Sequence, residues 1–154
     1  MQQFSAEGLK LLMKAEGFRR SVYCDPIGKP TIGYGHRLLS GEDFPNGMSE
    51  GEAQALLNND ILAAEECVRL HVHVPITQGQ FDALVDFVFN LGCRHFSGST
   101  LLKLLNQGCY AEAAQQILLW DHAGGVEAPG LMARREAELA LWSQPDSPAA
   151  EKSA

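Results

Sequence analysis

Leu9, Leu12 and Met13 recur at helical spacing near the start of the chain. Glu16, four residues after Leu12 and three after Met13, falls on that same apolar face. Ser5 is a suitable N-cap, and Glu7 lies in the first turn where the helix dipole favours an acid. From residue 18 to 46 the helical pattern disappears: Pro26, Pro30, Pro45 and glycines such as Gly28, Gly33, Gly35 and Gly41 mark turns, and the runs "SVY" and "TIGYG" read as strands of a small sheet. "SEGE" at 49–52 is a capping box. It opens a stripe through Ala53, Leu56, Leu57, Ile61, Ala64, Val68 and His71, which predicts a connecting helix over 49–74, about six turns long and stopped by Pro75.

"TQGQ" at 77–80 caps the next stripe, Phe81, Leu84, Val85, Val88 and Leu91, which ends near Gly92. "STLLKLLNQG" reads as a short helix ending at Gly108, and "YAEAAQQILLW" as another ending before Gly124 and Gly125. Pro129 suits the first turn of a last helix through "GLMARREAELALW". Residues 145–154 show no apolar periodicity and read as a disordered tail. The pattern predicts an α+β, mostly helical fold in one unit over 1–144, with a β region at 18–48, the connecting helix at 49–74 and a helical lobe at 75–144.

The chain has 154 residues, 45% of them hydrophobic and 20% charged, enough for one sizeable core. A net charge of −7 argues against nucleic acid, whose phosphates need clustered Lys and Arg. No basic leader precedes an apolar stretch, and no apolar run approaches the roughly 18 residues of a membrane span. The expectation is a protein made and first held in the cytoplasm, without membrane contact. Cys24, Cys67, Cys93 and Cys109 form no CxxC pair, so free or buried thiols are expected unless the protein reaches an oxidising space. Cys67 and His71 share a helix face, but with His73 pointing elsewhere no tetrahedral set is completed, so no metal or cofactor is expected.

The chemistry concentrates in "AEGFRRSVYCDPIGKPTIGYGH", residues 15–36. Two carboxylates facing a cleft are the minimum for cleaving a glycosidic bond: one donates a proton to the leaving oxygen while the other stays ionised to activate water or attack. Glu16 on its apolar face suits the acid, because desolvation disfavours its charge. Asp25, in an open turn beside Pro26 and Gly28, suits the base, and Thr31 offers a hydroxyl to hold a water. His36, closing "GYGH", suits a structural hydrogen bond or ion pair.

Glu16, eight intervening residues, Asp25, five more and Thr31, followed by "IGYGH", resembles the catalytic pattern of phage-type lysozymes, the muramidases of glycoside hydrolase family 24. The likeness continues through "FDALVDFVFNLGCRHFSGSTLLKLLNQGCYAEAAQQILLWDHAGG" and "PGLMARREAE", about residues 5–142. The resemblance implies a two-lobed lysozyme fold and hydrolysis of the β-1,4 bond between N-acetylmuramic acid and N-acetylglucosamine, with inversion. Glu16 is then the general acid, Asp25 orients or activates the water and Thr31 helps place it. By the same likeness Phe89, Thr100 and Gln116 fall at substrate-lining positions, although helical spacing alone puts Phe89 in the core. Arg37 stands where some members carry an apolar cleft residue, and either Arg134 or Arg135 is implied as a partner of Glu16.

The expected biology is that of an endolysin: a monomer acting on peptidoglycan glycan strands after a holin-like pore or cell lysis releases it. The rival readings are a lytic transglycosylase, which needs the Glu but not the Asp–Thr pair, and a catalytically silent glycan-binding module. The intact Glu–Asp–Thr set argues against both.

Overall fold

The structure is a computed structural model and describes residues 1–120, 122–123, 126–127 and 129–146. Helix α1 spans Ala6–Glu16, with the Ser5 side chain accepting from Gly8 N. Strands β1 (Arg19–Cys24), β2 (Pro30–Gly33) and β3 (His36–Arg37) form an antiparallel sheet in that order. Helix α2 (Glu50–His71) leads from the sheet into the helical lobe, and its reciprocal Ser49–Glu52 capping box is formed. The lobe contains α3 (Gln78–Leu91), α4 (Cys93–Ser97), α5 (Thr100–Asn106), α6 (Tyr110–Ile117), a two-stranded hairpin of β4 (His122–Ala123) and β5 (Val126–Glu127), and α7 (Pro129–Trp142).

Helix α3 is the axle of the lobe. Its residues from Phe81 to Val88 are all buried, which explains why its sequence is apolar nearly all round rather than on one stripe. Helix α7 packs along it so closely that a Cβ on Gly79 would lie 2.0 Å from the Leu141 carbonyl oxygen. Helix α1 joins at Asp82, which accepts from Ser5 N at 3.0 Å and from the Ser5 hydroxyl. The residue that caps α1 is thereby bonded to the central helix.

Several expectations need correction. Helix α2 ends at His71, three residues before the expected Val74, because Val72 is already extended. Helix α6 stops at Ile117, and the segment after it enters the β4–β5 hairpin, which two-residue strands are too short to announce. The short α4 was not expected either. Free thiols were expected at Cys67 and Cys93, yet the two form a disulfide between α2 and α4, with Cα atoms 5.9 Å apart. Pairing partners 26 residues apart in sequence depend on how α3 folds back, which spacing alone does not encode. Cys24 and Cys109 are free. Of the tail, Asp146 accepts from Gln78 N at 2.8 Å and so covers an open donor at the start of α3; residues 147–154 lie outside the described residues.

Candidate active site

Glu16 is the last residue of α1, where the following Gly17 turns the chain at φ 70°. Its Oε2 accepts from Arg134 Nη1 at 2.6 Å, and its side chain is 17% exposed. The other face of the Arg134 guanidinium is occupied by Asp86: Nε donates to Oδ2 at 2.9 Å and Nη2 to Oδ1 at 2.8 Å. This bidentate fork fixes the guanidinium plane. Burial alone would weaken the Arg134 charge, but Asp86 and then Glu16 outweigh it and hold the group firmly protonated. Of the two expected candidates, Arg134 is therefore the partner of Glu16.

Arg135 does not reach Glu16. It is fully buried, donates to Asn90 Oδ1 at 2.8 Å and Glu138 Oε2 at 3.0 Å, and lies over the Phe87 ring. Its Nε is 2.8 Å from Glu138 Oε1 without a directed hydrogen bond. One helical position separates the two arginines, about 100° of rotation, which turns one toward α1 and the other inward. Burial, and then the hydrogen bond to and charge of Asp86, push the Glu138 carboxyl well above the usual range. Burial also opposes ionisation of Asp86, but Arg134 beside it and the hydrogen bond from Glu138 hold that carboxyl low.

Asp25 follows directly on β1 and closes a tight turn. Its Oδ1 accepts from Ile27 N at 3.0 Å and Lys29 N at 2.8 Å, while its own N–H donates to the Lys29 carbonyl at 2.9 Å. Oδ2 accepts from Arg37 Nε at 3.0 Å. Partial desolvation works against the charge, but the two backbone donors and then Arg37 overcome it and hold the carboxyl below its ordinary value. Thr31 on β2 is buried, and its hydroxyl donates to the Lys29 carbonyl at 3.0 Å. The donor is thus spent, and the lone pairs remain for accepting.

One hairpin touches both carboxylates. Gly35, in the β2–β3 turn at φ 71°, packs so tightly on Glu16 that a Cβ there would lie 2.4 Å from Oε1. Two residues on, Arg37 holds Asp25. The Tyr23 ring stands between the two acids electrostatically: burial first, then Glu16, raise its phenol, with Asp25 adding and Arg19 opposing. His36 bonds Asp60 Oδ2 through Nδ1 at 2.7 Å and Glu42 Oε1 through Nε2 at 2.8 Å.

The remaining expected residues stand apart from this cluster. Phe89 on α3 is half-buried and packs against the core. Thr100 opens α5 and is exposed, and Gln116 on α6 is half-buried. Among the described residues none of the three is hydrogen-bonded to Glu16, Asp25 or Thr31. Asp86, Gly35 and Tyr23 were not anticipated, and Arg37 was noted only as an oddity. Asp86 had a signal: an acid inside "ALVDFVF" is on a face too apolar to lack a buried partner.

The sequence model of the phage lysozyme family matches residues 13–138. The endolysin of Salmonella phage P22 is 39% identical over 145 residues, 92% of this chain and 99% of that protein. Among solved structures, the muramidase domain of SpmX from Asticaccaulis excentricus superposes with a TM-score of 0.85 at 36% identity, covering 94% of this chain and all of that one. A P22 lysozyme variant superposes at 0.79 with 36% identity and the same coverage. Sequence and architecture agree over nearly the full length, and this chain belongs to the phage lysozyme family.

Proposed function

We propose that Glu16, Asp25 and Thr31 carry the lysozyme reaction of this chain, hydrolysis of the β-1,4 bond between N-acetylmuramic acid and N-acetylglucosamine in peptidoglycan. The observation that supports it best is the β2–β3 hairpin, which touches the Glu16 carboxyl at Gly35 and the Asp25 carboxyl at Arg37. Glu16 Oε1 has no hydrogen-bond partner among the described residues, so it carries the proton toward the glycosidic oxygen. As that proton leaves, negative charge develops on a carboxylate whose other oxygen is already held by Arg134. Preorganised charge of this kind costs no rearrangement at the moment of reaction.

The attacking water gives one hydrogen bond to Asp25 Oδ2, which keeps a free lone pair beside Arg37, and one to the Thr31 oxygen. With both hydrogens directed to the protein, the water's lone pair is turned toward the sugar. A water between base and sugar implies inversion at the anomeric carbon. Residues 1–144 act as the catalytic unit, with Phe89, Thr100 and Gln116 lining the glycan from the helical lobe.

Digestion of purified peptidoglycan by wild type and Glu16→Gln, with fragment masses and the first-formed anomer recorded, tests this. Wild type should release hydrolysed muramic acid ends as the α-anomer, and Glu16→Gln none. Full release by the variant would remove Glu16 from the mechanism. We also propose that the monomeric enzyme waits in the cytoplasm for a holin-type pore. Induced alone in cells it should leave them intact, and lysis without a pore-forming partner would refute that dependence.

A further inference from the structure

Three strands of the sheet carry one row of side chains. The register pairs Tyr23 of β1 with Thr31 of β2, and Thr31 with Arg37 of β3, so the three project from the same face. Asp25 follows β1 immediately, and its two oxygens are held in different ways. The turn's own N–H groups take Oδ1. Among the described residues the only side chain bonded to Asp25 is Arg37, on Oδ2. If Oδ2 is the oxygen that receives the water's proton, Arg37 sets the direction from which it does so.

We propose that Arg37 is a positioning residue for the hydrolytic step, acting through Asp25 by fixing Oδ2 toward the water held at Thr31. The proposal rests on the catalytic reading of Asp25 given above. The Arg37 side chain is 56% exposed, so solvent screens its side of the pair, while the Asp25 turn is closed by its own backbone donors at Ile27 and Lys29. That makes the role separable: loss of Arg37 should be felt in the reaction before it is felt in folding. The groups that face Asp25 are Tyr23 from β1, Arg37 from β3, and the backbone donors of Ile27 and Lys29 from its own turn, with Arg19 and Glu16 behind Tyr23. Since the turn's donors act more strongly on the carboxyl than Arg37 does, they remain in a variant without Arg37, and only part of the acid tuning should be lost.

The experiment measures kcat, KM and the pH dependence of kcat/KM on soluble peptidoglycan fragments for wild type, Arg37→Gln, Arg37→Lys, Asp25→Asn and the Arg37→Gln/Asp25→Asn pair, with melting temperatures as a folding check. Arg37→Gln should lose roughly tenfold in kcat, less than the roughly 10²–10⁴-fold weight of the acid–base group itself because Asp25 is still present, with KM nearly unchanged and the acid limb moved up. Arg37→Lys should recover part of the loss. In the Asp25→Asn background Arg37→Gln should cost nothing further.

A rise in KM alone, with kcat and the acid limb in place, would make Arg37 a substrate contact and overturn the positioning role. Wild-type values throughout would also overturn it. Asp25→Asn at full activity would instead overturn the catalytic reading of Asp25, whatever Arg37 does, so the two failures are distinct.

Discussion

At the scale of single residues, Glu16, the proposed general acid, is held in place by the Arg134 guanidinium at 2.6 Å. Asp86 fixes that guanidinium from its other edge by a bidentate pair. The carboxyl is fixed from the hairpin side as well. Gly35 allows the hairpin to lie directly on the carboxyl, and any side chain there meets Glu16 Oε1 in a backbone conformation that L-residues rarely adopt. Gly35→Ala should therefore lower kcat by at least about a hundredfold, since a displacement near 1 Å is enough for that loss. Its stability should fall by the strain of one left-handed residue, of order 1–2 kcal/mol, with the displacement of Glu16 added to that. Wild-type kcat in Gly35→Ala would show that the carboxyl tolerates displacement and that the close contact has no catalytic weight.

At the scale of elements, what the sequence made legible was whatever rests on local rules. The capping boxes at Ser49 and Thr77, the Ser5 cap and the apolar stripes gave the starts of α1, α2 and α3 because capping and periodicity act within a few residues. The β4–β5 hairpin and the five-residue α4 stayed hidden, since elements that short have no period to read. The Glu16–Arg134 pair was legible only as a choice between neighbouring arginines, because a separation of 118 residues is decided by packing. The Cys67–Cys93 bridge was missed for the same reason.

That bridge joins α2, which descends from the sheet, to α4 in the lobe, closing a loop around α3. A loop of this length is stabilised by about 3 kcal/mol through restriction of the unfolded chain. Replacing both cysteines by serine, or adding reductant, should lower the melting temperature by roughly 10 °C. Activity at 25 °C should be retained, because neither cysteine is bonded to a residue of the Glu16–Asp25 cluster. Equal melting temperatures for oxidised and reduced protein would mean that the loop is already as restricted without the bond.

At the scale of the whole molecule, β2 fastens the sheet to α2 through the buried Ile32 and β3 adds an ionic contact, and this second fastening depends on pH. His36 on β3 lies between Asp60 of α2 and Glu42 of the following loop. Burial disfavours its charge, but the hydrogen bonds to Glu42 and Asp60, with their charges, outweigh that and raise the imidazole above its ordinary value. A base with a raised folded-state pKa contributes stability that is fully present below its unfolded value, about 6.5, and lost as pH rises through the folded one. Glu42 has the opposite sign: the Leu39 amide first, then His36, hold it low, so its contribution is present above its unfolded value and fades as pH falls through the folded one.

Asp60 is shifted up, by burial first with His36 opposing, so its ionisation in the folded state costs stability as pH rises. Melting temperature should thus decline as pH rises above the unfolded histidine value of about 6.5, and Asp60→Asn should flatten that decline by removing one of the two carboxylates. An equally steep decline in Asp60→Asn would place its origin elsewhere. Because β3 runs from His36 directly into Arg37, and Gly35 precedes both, loosening this clamp at alkaline pH would disturb the supports of Glu16 and Asp25 together. The fall of activity on the alkaline side should therefore be less steep in a variant whose clamp does not titrate, even though none of the reacting groups has been changed.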